Sequence, residues 1–221
     1  LAVIVQDGMK RMYEDNENIY YYLTVMNENY EQPAMPVGVE EGIRKGIYKL
    51  DEVKGQGKAK IQLLSSGTIM LQVREAARIL AEDYGVDATV FSATSFNELA
   101  RDGQAVERIN MLNPLAEEQV PYITTVLEAG VPTVAATDYM KTYADQVRAY
   151  VPGPYKVLGT DGFGRSDSRE NLRRHFEVNA GYVVVAALTE LAKRGEVDKA
   201  LIVQAIEKFE IDTDKLNPLY A

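Results

Sequence analysis

The sequence predicts a three-layer α/β/α sandwich on a mixed sheet of about five strands, a common sheet size. Three observations carry that expectation. From residue 46 onward, short runs rich in Val, Ile and Leu alternate with longer stretches of helical periodicity. Most of those runs are separated by a helix, which favours parallel pairing with helices on both faces. The first two runs are joined only by the short KGQGKA turn, so the first strand is expected at an edge and antiparallel.

Taken in order, residues 1–13 carry apolar Val3, Ile4, Met9 and Met12 at helical spacing. IYYYLTVM at 19–26 is aromatic and β-branched and reads as a buried strand. Two prolines and two glycines in EQPAMPVGVEEG mark a linker, with a boundary near 33–42. GIYKLDEV and KIQLLSSG are the first two strands of the main domain. TIMLQVREAARILAEDYG follows as an amphipathic helix closed by Gly85. ATVFSATS is a strand, FNELARDGQAVERINML a helix, YITTVLEAG a short helix and TVAATD a strand. MKTYADQVRAYV reads as helical and YKVLGTD as the fifth strand, before SRENLRRHFEV opens a helical region reaching Phe209. Ile61, Leu63, Val90, Val134, Val157 and residues 183–186 are the expected core.

Composition excludes several classes. With 46% hydrophobic and 26% charged residues, this is an ordinary globular composition. No apolar run approaches the roughly 20 residues of a membrane span. The absence of cysteine removes disulfides and thiolate metal sites, and one histidine argues against an imidazole-rich centre. A net charge of -9 disfavours general nucleic-acid binding. A cytoplasmic protein is expected, and the start at Leu1 inside an apolar run suggests a piece of a longer chain.

The residues that could carry chemistry mostly read as structure. Gly159, Gly162 and Gly164 are spaced G-x-x-G-x-G after the last strand, whereas a dinucleotide fingerprint has G-x-G-x-x-G after the first. Asp167 followed by Glu170 resembles a capping box, so a structural turn is the stronger reading. His175, beside Phe176, has no nucleophile paired with it and reads as packing or surface. Glu40 and Glu41, Glu117 and Glu118, and Asp212 with Asp214 match no calcium-loop pattern and read as solvated charge. Ser66 or Thr68 is better read as an N-cap than as a nucleophile. No catalytic, cofactor-binding or metal residue emerges.

Several long strings nevertheless resemble one family: MKRMY, NIYYYLTVMNENYEQPAMP, EEGIRKGIYKL, TSFNELARDGQ, TDYMK, VLGTDGFGRSDSRENLRRHFEV and VVVAALTELAKRGEV. They run in order along the whole chain and resemble the carboxy-terminal part of the homodimeric, thiamin-diphosphate-dependent bacterial pyruvate dehydrogenases of transketolase type. The resemblance implies a remnant of the pyrimidine-binding domain at 1–32, a linker at 33–45 and a transketolase-like carboxy-terminal domain at 46–221. It implies an enzyme on the route from glycolysis to acetyl-CoA that decarboxylates pyruvate and reductively acetylates lipoyl groups. Its implied partners are the rest of its own subunit, a second copy in a homodimer, and the dihydrolipoyl acetyltransferase core, with no nucleic acid or membrane.

Thiamin diphosphate and magnesium would belong to the full-length enzyme and not to this stretch. The family holds them with a GDG motif and a downstream asparagine pair, while this chain has QDG and TDG but no GDG and no NN. The activating glutamate and catalytic histidines would lie before Leu1. That leaves a part serving assembly and structure, inactive alone; the alternative is a regulatory or docking module for an anionic effector or the acetyltransferase core. Two places deserve a role on this reading. Asn27, Glu28 and Asn29 would form an active-site rim or else a polar turn. Arg165, Asp167 and Arg169 would form an interface or anion loop.

Overall fold

The computed structural model describes residues 1–27, 29–57 and 59–221. Among them, five strands form one sheet in the order β1-β3-β2-β4-β5, with β1 Ile47–Val53, β2 Ala59–Ser65, β3 Val86–Ala93, β4 Thr133–Ala136 and β5 Tyr155–Leu158. β2 pairs in parallel with both β3 and β4, and β4 in parallel with β5. β1 lies at one edge, antiparallel, as the sequence implies. Its partner, however, is β3 across the sheet and not the adjacent β2, whose two edges are taken by β3 and β4. Residues 54–57 therefore lead away from β1 toward the strand beyond β3, with Gly55 N–H donating to Asp87 Oδ1 at 2.8 Å and Gln56 N–H to the Gly85 carbonyl at 3.0 Å. A bulge interrupts β1 between Lys49 and Asp51. Lys49 on this strand and Lys54 just past its end both pair with Glu52.

Both faces are covered, which is why β2 and β3 read as near-continuous apolar runs. On one face, Ile61, Leu63, Val90 and Val134 pack with α3 (Met70–Tyr84), α8 (Ala180–Lys193) and α9 (Ala200–Lys208). On the other, Leu64, Phe91, Ala135 and Val157 pack with α4 (Phe96–Leu112), α5 (Tyr122–Val126) and α6 (Lys141–Asp145). The expected core residues are buried, apart from half-buried Val185. α3 ends at Gly85 in the left-handed region (φ 67°), a conformation that costs most other residues energy. Gln62 is a buried amide in the central strand with every group used. Its Nε2 donates to the Glu128 carbonyl at 3.2 Å and to Thr133 Oγ1 at 3.2 Å, and its Oε1 accepts from Glu128 N–H at 2.8 Å.

Three local expectations need correction. Residues 19–26 form no strand: the segment has no regular secondary structure and is largely exposed, with Tyr20 and Tyr22 each 86% accessible. Aromatic and β-branched residues fit a pleated surface that neighbouring strands must supply, and none among the described residues lies beside it. α7 (Arg169–His175) is capped by Ser168, whose hydroxyl accepts from Asn171 N–H at 3.3 Å, rather than by Asp167. Asp167 instead accepts from Ser168 N–H at 2.6 Å and from the Asn171 amide at 2.9 Å. Ser66 occupies the N-cap position before the 3-10 turn Gly67–Ile69, but neither it nor Thr68 makes a side-chain cap bond. Ser66 Oγ is turned to Thr137 Oγ1 at 2.8 Å.

The leading segment opens with α1 (Ala2–Met9), and the last residues of the expected linker form α2 (Glu40–Lys45). Tyr21 reaches back to α1, where its hydroxyl donates to Asp7 Oδ2 at 2.7 Å and accepts from Arg11 Nη1 at 3.1 Å.

Candidate functional site

The chain reverses direction across the sheet at β2: it steps to β3 on one side, then crosses to β4 on the other. In open α/β sheets such a switch point leaves a crevice beyond the carboxyl ends of the strands. Here three strand ends feed it. Thr68 and Ile69 follow β2, Asp138 follows β4 and Thr160 follows β5. α7 closes the fourth side with Arg169, Leu172 and Arg173. The cavity measures about 160 Å³.

The two arginines sit four residues apart on α7, a spacing that puts them on one helix face. Each is held by the leading segment. Arg169 Nη2 donates to Asn27 Oδ1 at 3.3 Å. Arg173 Nη2 donates to the Tyr30 hydroxyl at 3.4 Å, and its guanidinium carbon lies 5.9 Å from the Tyr30 ring centroid. Thr24 hydrogen-bonds the hydroxyl of Tyr139, which follows Asp138. Asn27 and Tyr30 thus meet the two arginines that line the crevice. Next to Thr160, Asp161 accepts from Lys141 N–H at 3.2 Å and pairs with Lys141 Nζ at 3.3 Å. Among the described residues, Thr68, Asp138 and Thr160 make no side-chain hydrogen bond.

Of the rim residues expected from sequence, Asn27 touches Arg169, Asn29 is exposed, and Glu28 lies outside the described residues. Of the anion-loop residues, Arg169 lines the crevice while Arg165 is exposed. The Asn171 amide, and then the Ser168 N–H, hold the Asp167 carboxyl below its usual range. That carboxylate is committed to its own turn. His175 ends α7 edge-on to Phe176, with ring centroids 4.8 Å apart, and its Nε2 is buried without a partner. Glu41 pairs with Lys45 at 2.8 Å, Glu117 and Glu118 are exposed, and Asp212 accepts from Asp214 N–H at 2.9 Å, so these acids stay apart.

The glycine loop has a packing role. Gly162 has φ 77°, and a Cβ there would fall 2.3 Å from the Pro218 carbonyl oxygen. At Gly159 a Cβ would meet the Tyr139 carbonyl oxygen at 2.7 Å. Replacing Gly162 with alanine is expected to cost about 1–3 kcal/mol through strain and collision. Faster hydrogen exchange at 216–221 reads the loss; unchanged exchange there would contradict it.

Sequence reasoning missed Arg173, Asp138 and Thr160, although the i, i+4 arginine pair on a helix after the last strand was visible. Magnesium-bound diphosphate needs hard oxygen donors converging on the metal. Among the described residues no group of three or more His, Asp or Glu converges. Among its described lining residues the crevice has one carboxylate, Asp138, and the guanidinium groups of Arg169 and Arg173. Its residues do not fit magnesium-thiamin diphosphate.

Over 223 residues the chain is 65% identical to the pyruvate dehydrogenase E1 component of Escherichia coli K12, and over 224 residues 61% identical to that of Haemophilus influenzae. The Pseudomonas aeruginosa component is 54% identical over 222 residues. These matches take in 99–100% of this chain but 25% of each relative, so the chain spans a quarter of their length. Residues 1–33 match the pyruvate dehydrogenase E1 component middle domain. Residues 46–179 match the transketolase-like TK C-terminal domain. That second match opens one residue before β1, takes in all five strands and ends past α7, and by it the chain belongs to the transketolase-like carboxy-terminal domain family.

Proposed function

We propose that this chain is the closing part of a thiamin-diphosphate-dependent pyruvate dehydrogenase component that decarboxylates pyruvate and reductively acetylates lipoyl groups of the acetyltransferase. Within it, this part serves assembly and completes the surroundings of the active site, and the central chemistry lies elsewhere. The carrying observation is the 65% identity over the whole chain to an E1 component. The order of the two family models, 1–33 and then 46–179, supports a division at 33–45 between a middle-domain remnant and the carboxy-terminal domain. A cytoplasmic homodimer bound to an acetyltransferase core goes with this reading. A second role, as a module for an anionic effector, is favoured by the arginine-lined crevice.

The test compares the intact protein with this chain alone. Calorimetry with magnesium-thiamin diphosphate is expected to show stoichiometric binding to the intact protein and none to the chain alone. Tight binding by the chain alone would place the cofactor site here and overturn the assignment.

Asn27 is the residue whose role bears on the rim. Asn27→Ala in the intact enzyme is expected to change KM for pyruvate or kcat several-fold while His175→Ala changes neither more than a few-fold. If both constants stay within twofold for Asn27→Ala, residues 27–29 are only a polar turn.

A further inference from the structure

We propose that the crevice at the ends of β2, β4 and β5 binds a compact carboxylate that also carries a hydroxyl or ammonium group. Arg173 would grip the carboxylate and Asp138 would accept from the donor. This deepens the effector reading above and is independent of the assembly role.

The complementarity follows from what each lining group can do. A guanidinium only donates, in a planar fork that matches a carboxylate's two oxygens. Arg173 has no carboxylate partner among the described residues, and its contact with Tyr30 holds the side chain in place without neutralising it. Its neighbour Arg169 adds positive charge to the same wall while bonded to Asn27. An ionised aspartate, by contrast, only accepts. Asp138 is the single acid among the described lining residues, and nothing described donates to it. A simple anion such as phosphate would satisfy Arg173 but face Asp138 with like charge. A ligand with a carboxylate at one end and a donor at the other answers both, and the hydroxyls of Thr68 and Thr160 can serve either end.

Size narrows the class. Drug-sized ligands occupy roughly 300–1,000 Å³. At about 160 Å³ this cavity suits something smaller, and we assign a molecule of a few carbons, such as a 2-hydroxycarboxylate. The apolar lining of Ile69, Leu172 and Phe176 accommodates a short aliphatic stem.

Ligand-observed NMR on the intact protein tests this at neutral pH, with lactate, propionate and inorganic phosphate as probes. No turnover is read, so a failure here leaves the assembly assignment standing. Lactate is expected to bind several-fold more tightly than propionate or phosphate. Arg173→Gln should weaken lactate at least tenfold. Asp138→Leu, which can no longer accept, should leave lactate bound no more tightly than propionate. Arg174→Gln, whose guanidinium instead donates to the Glu210 carbonyl at 2.7 Å, should leave binding unchanged. Should Arg173→Gln unfold, Arg173→Lys keeps the charge but loses the fork and is expected to weaken lactate several-fold. Lactate binding that survives both Arg173 changes comes from another site and overturns the proposal. So does phosphate or propionate binding as tightly as lactate.

Discussion

Phe96→Ala is expected to cost about 3–5 kcal/mol, the largest single loss from any side chain in this fold. Phe96 is fully buried at the first position of α4, where Ser95 caps the helix by accepting from Glu98 N–H at 3.1 Å. Its ring meets Tyr143 of α6 edge-on, with centroids 5.6 Å apart, so the loss includes an aromatic pair worth about 0.5–1.5 kcal/mol. The residue ties two helices to the β1 and β3 side of the sheet. Denaturant titration of the intact protein, with hydrogen exchange followed in α4 and α6, measures it. A change under about 1 kcal/mol would mean that α4 is anchored elsewhere.

Gln62→Leu is expected to cost about 2–3 kcal/mol although leucine is similar in size and more apolar. The reason is what it strands. Glu128 N–H loses its acceptor, while the Glu128 carbonyl and Thr133 hydroxyl lose their donor. These groups belong to the turn that delivers the chain from α5 into β4. Exchange at the β4 amides should therefore rise more than exchange in β3, although both strands flank Gln62. Equal protection in both strands would show that water replaces the amide. Gln62→Glu offers a further check: it keeps the acceptor but turns a buried charge toward the Glu128 carbonyl, and should cost more than leucine at neutral pH.

The sheet and its helices were legible because both of their signals are local. A doubly covered parallel strand must be apolar on both faces, as Ile61, Leu63 and Leu64 are. A surface helix repeats its apolar residues every three or four positions, as Val73, Ala76, Ala77 and Leu80 do. Residues 19–26 misled because strand composition reports only that a segment suits a sheet. Asp167 and Ser168 can each cap a helix. The choice fell to the backbone, which put Ser168 Oγ within reach of Asn171 N–H. The crevice was illegible for a different reason. Thr68, Asp138, Thr160 and Arg173 share no motif and are gathered only by the crossover of β4 to the far side of β2.

The bulged, charged outer strand has a consequence for how copies of this protein can meet. An edge strand leaves a row of unpaired amides and carbonyls that a second chain can template upon, the first step toward aggregation. On β1 the bulge between Lys49 and Asp51 breaks the regular spacing that such docking requires. Docking would also force an incoming chain past the pairs of Glu52 with Lys49 and Lys54. At the opposite margin β5 is four residues long, and Arg148 Nη1 already donates to the Tyr155 carbonyl at 2.7 Å. Both margins resist extension, so a second copy would have to meet this domain through side-chain surfaces and not by fusing into one continuous sheet.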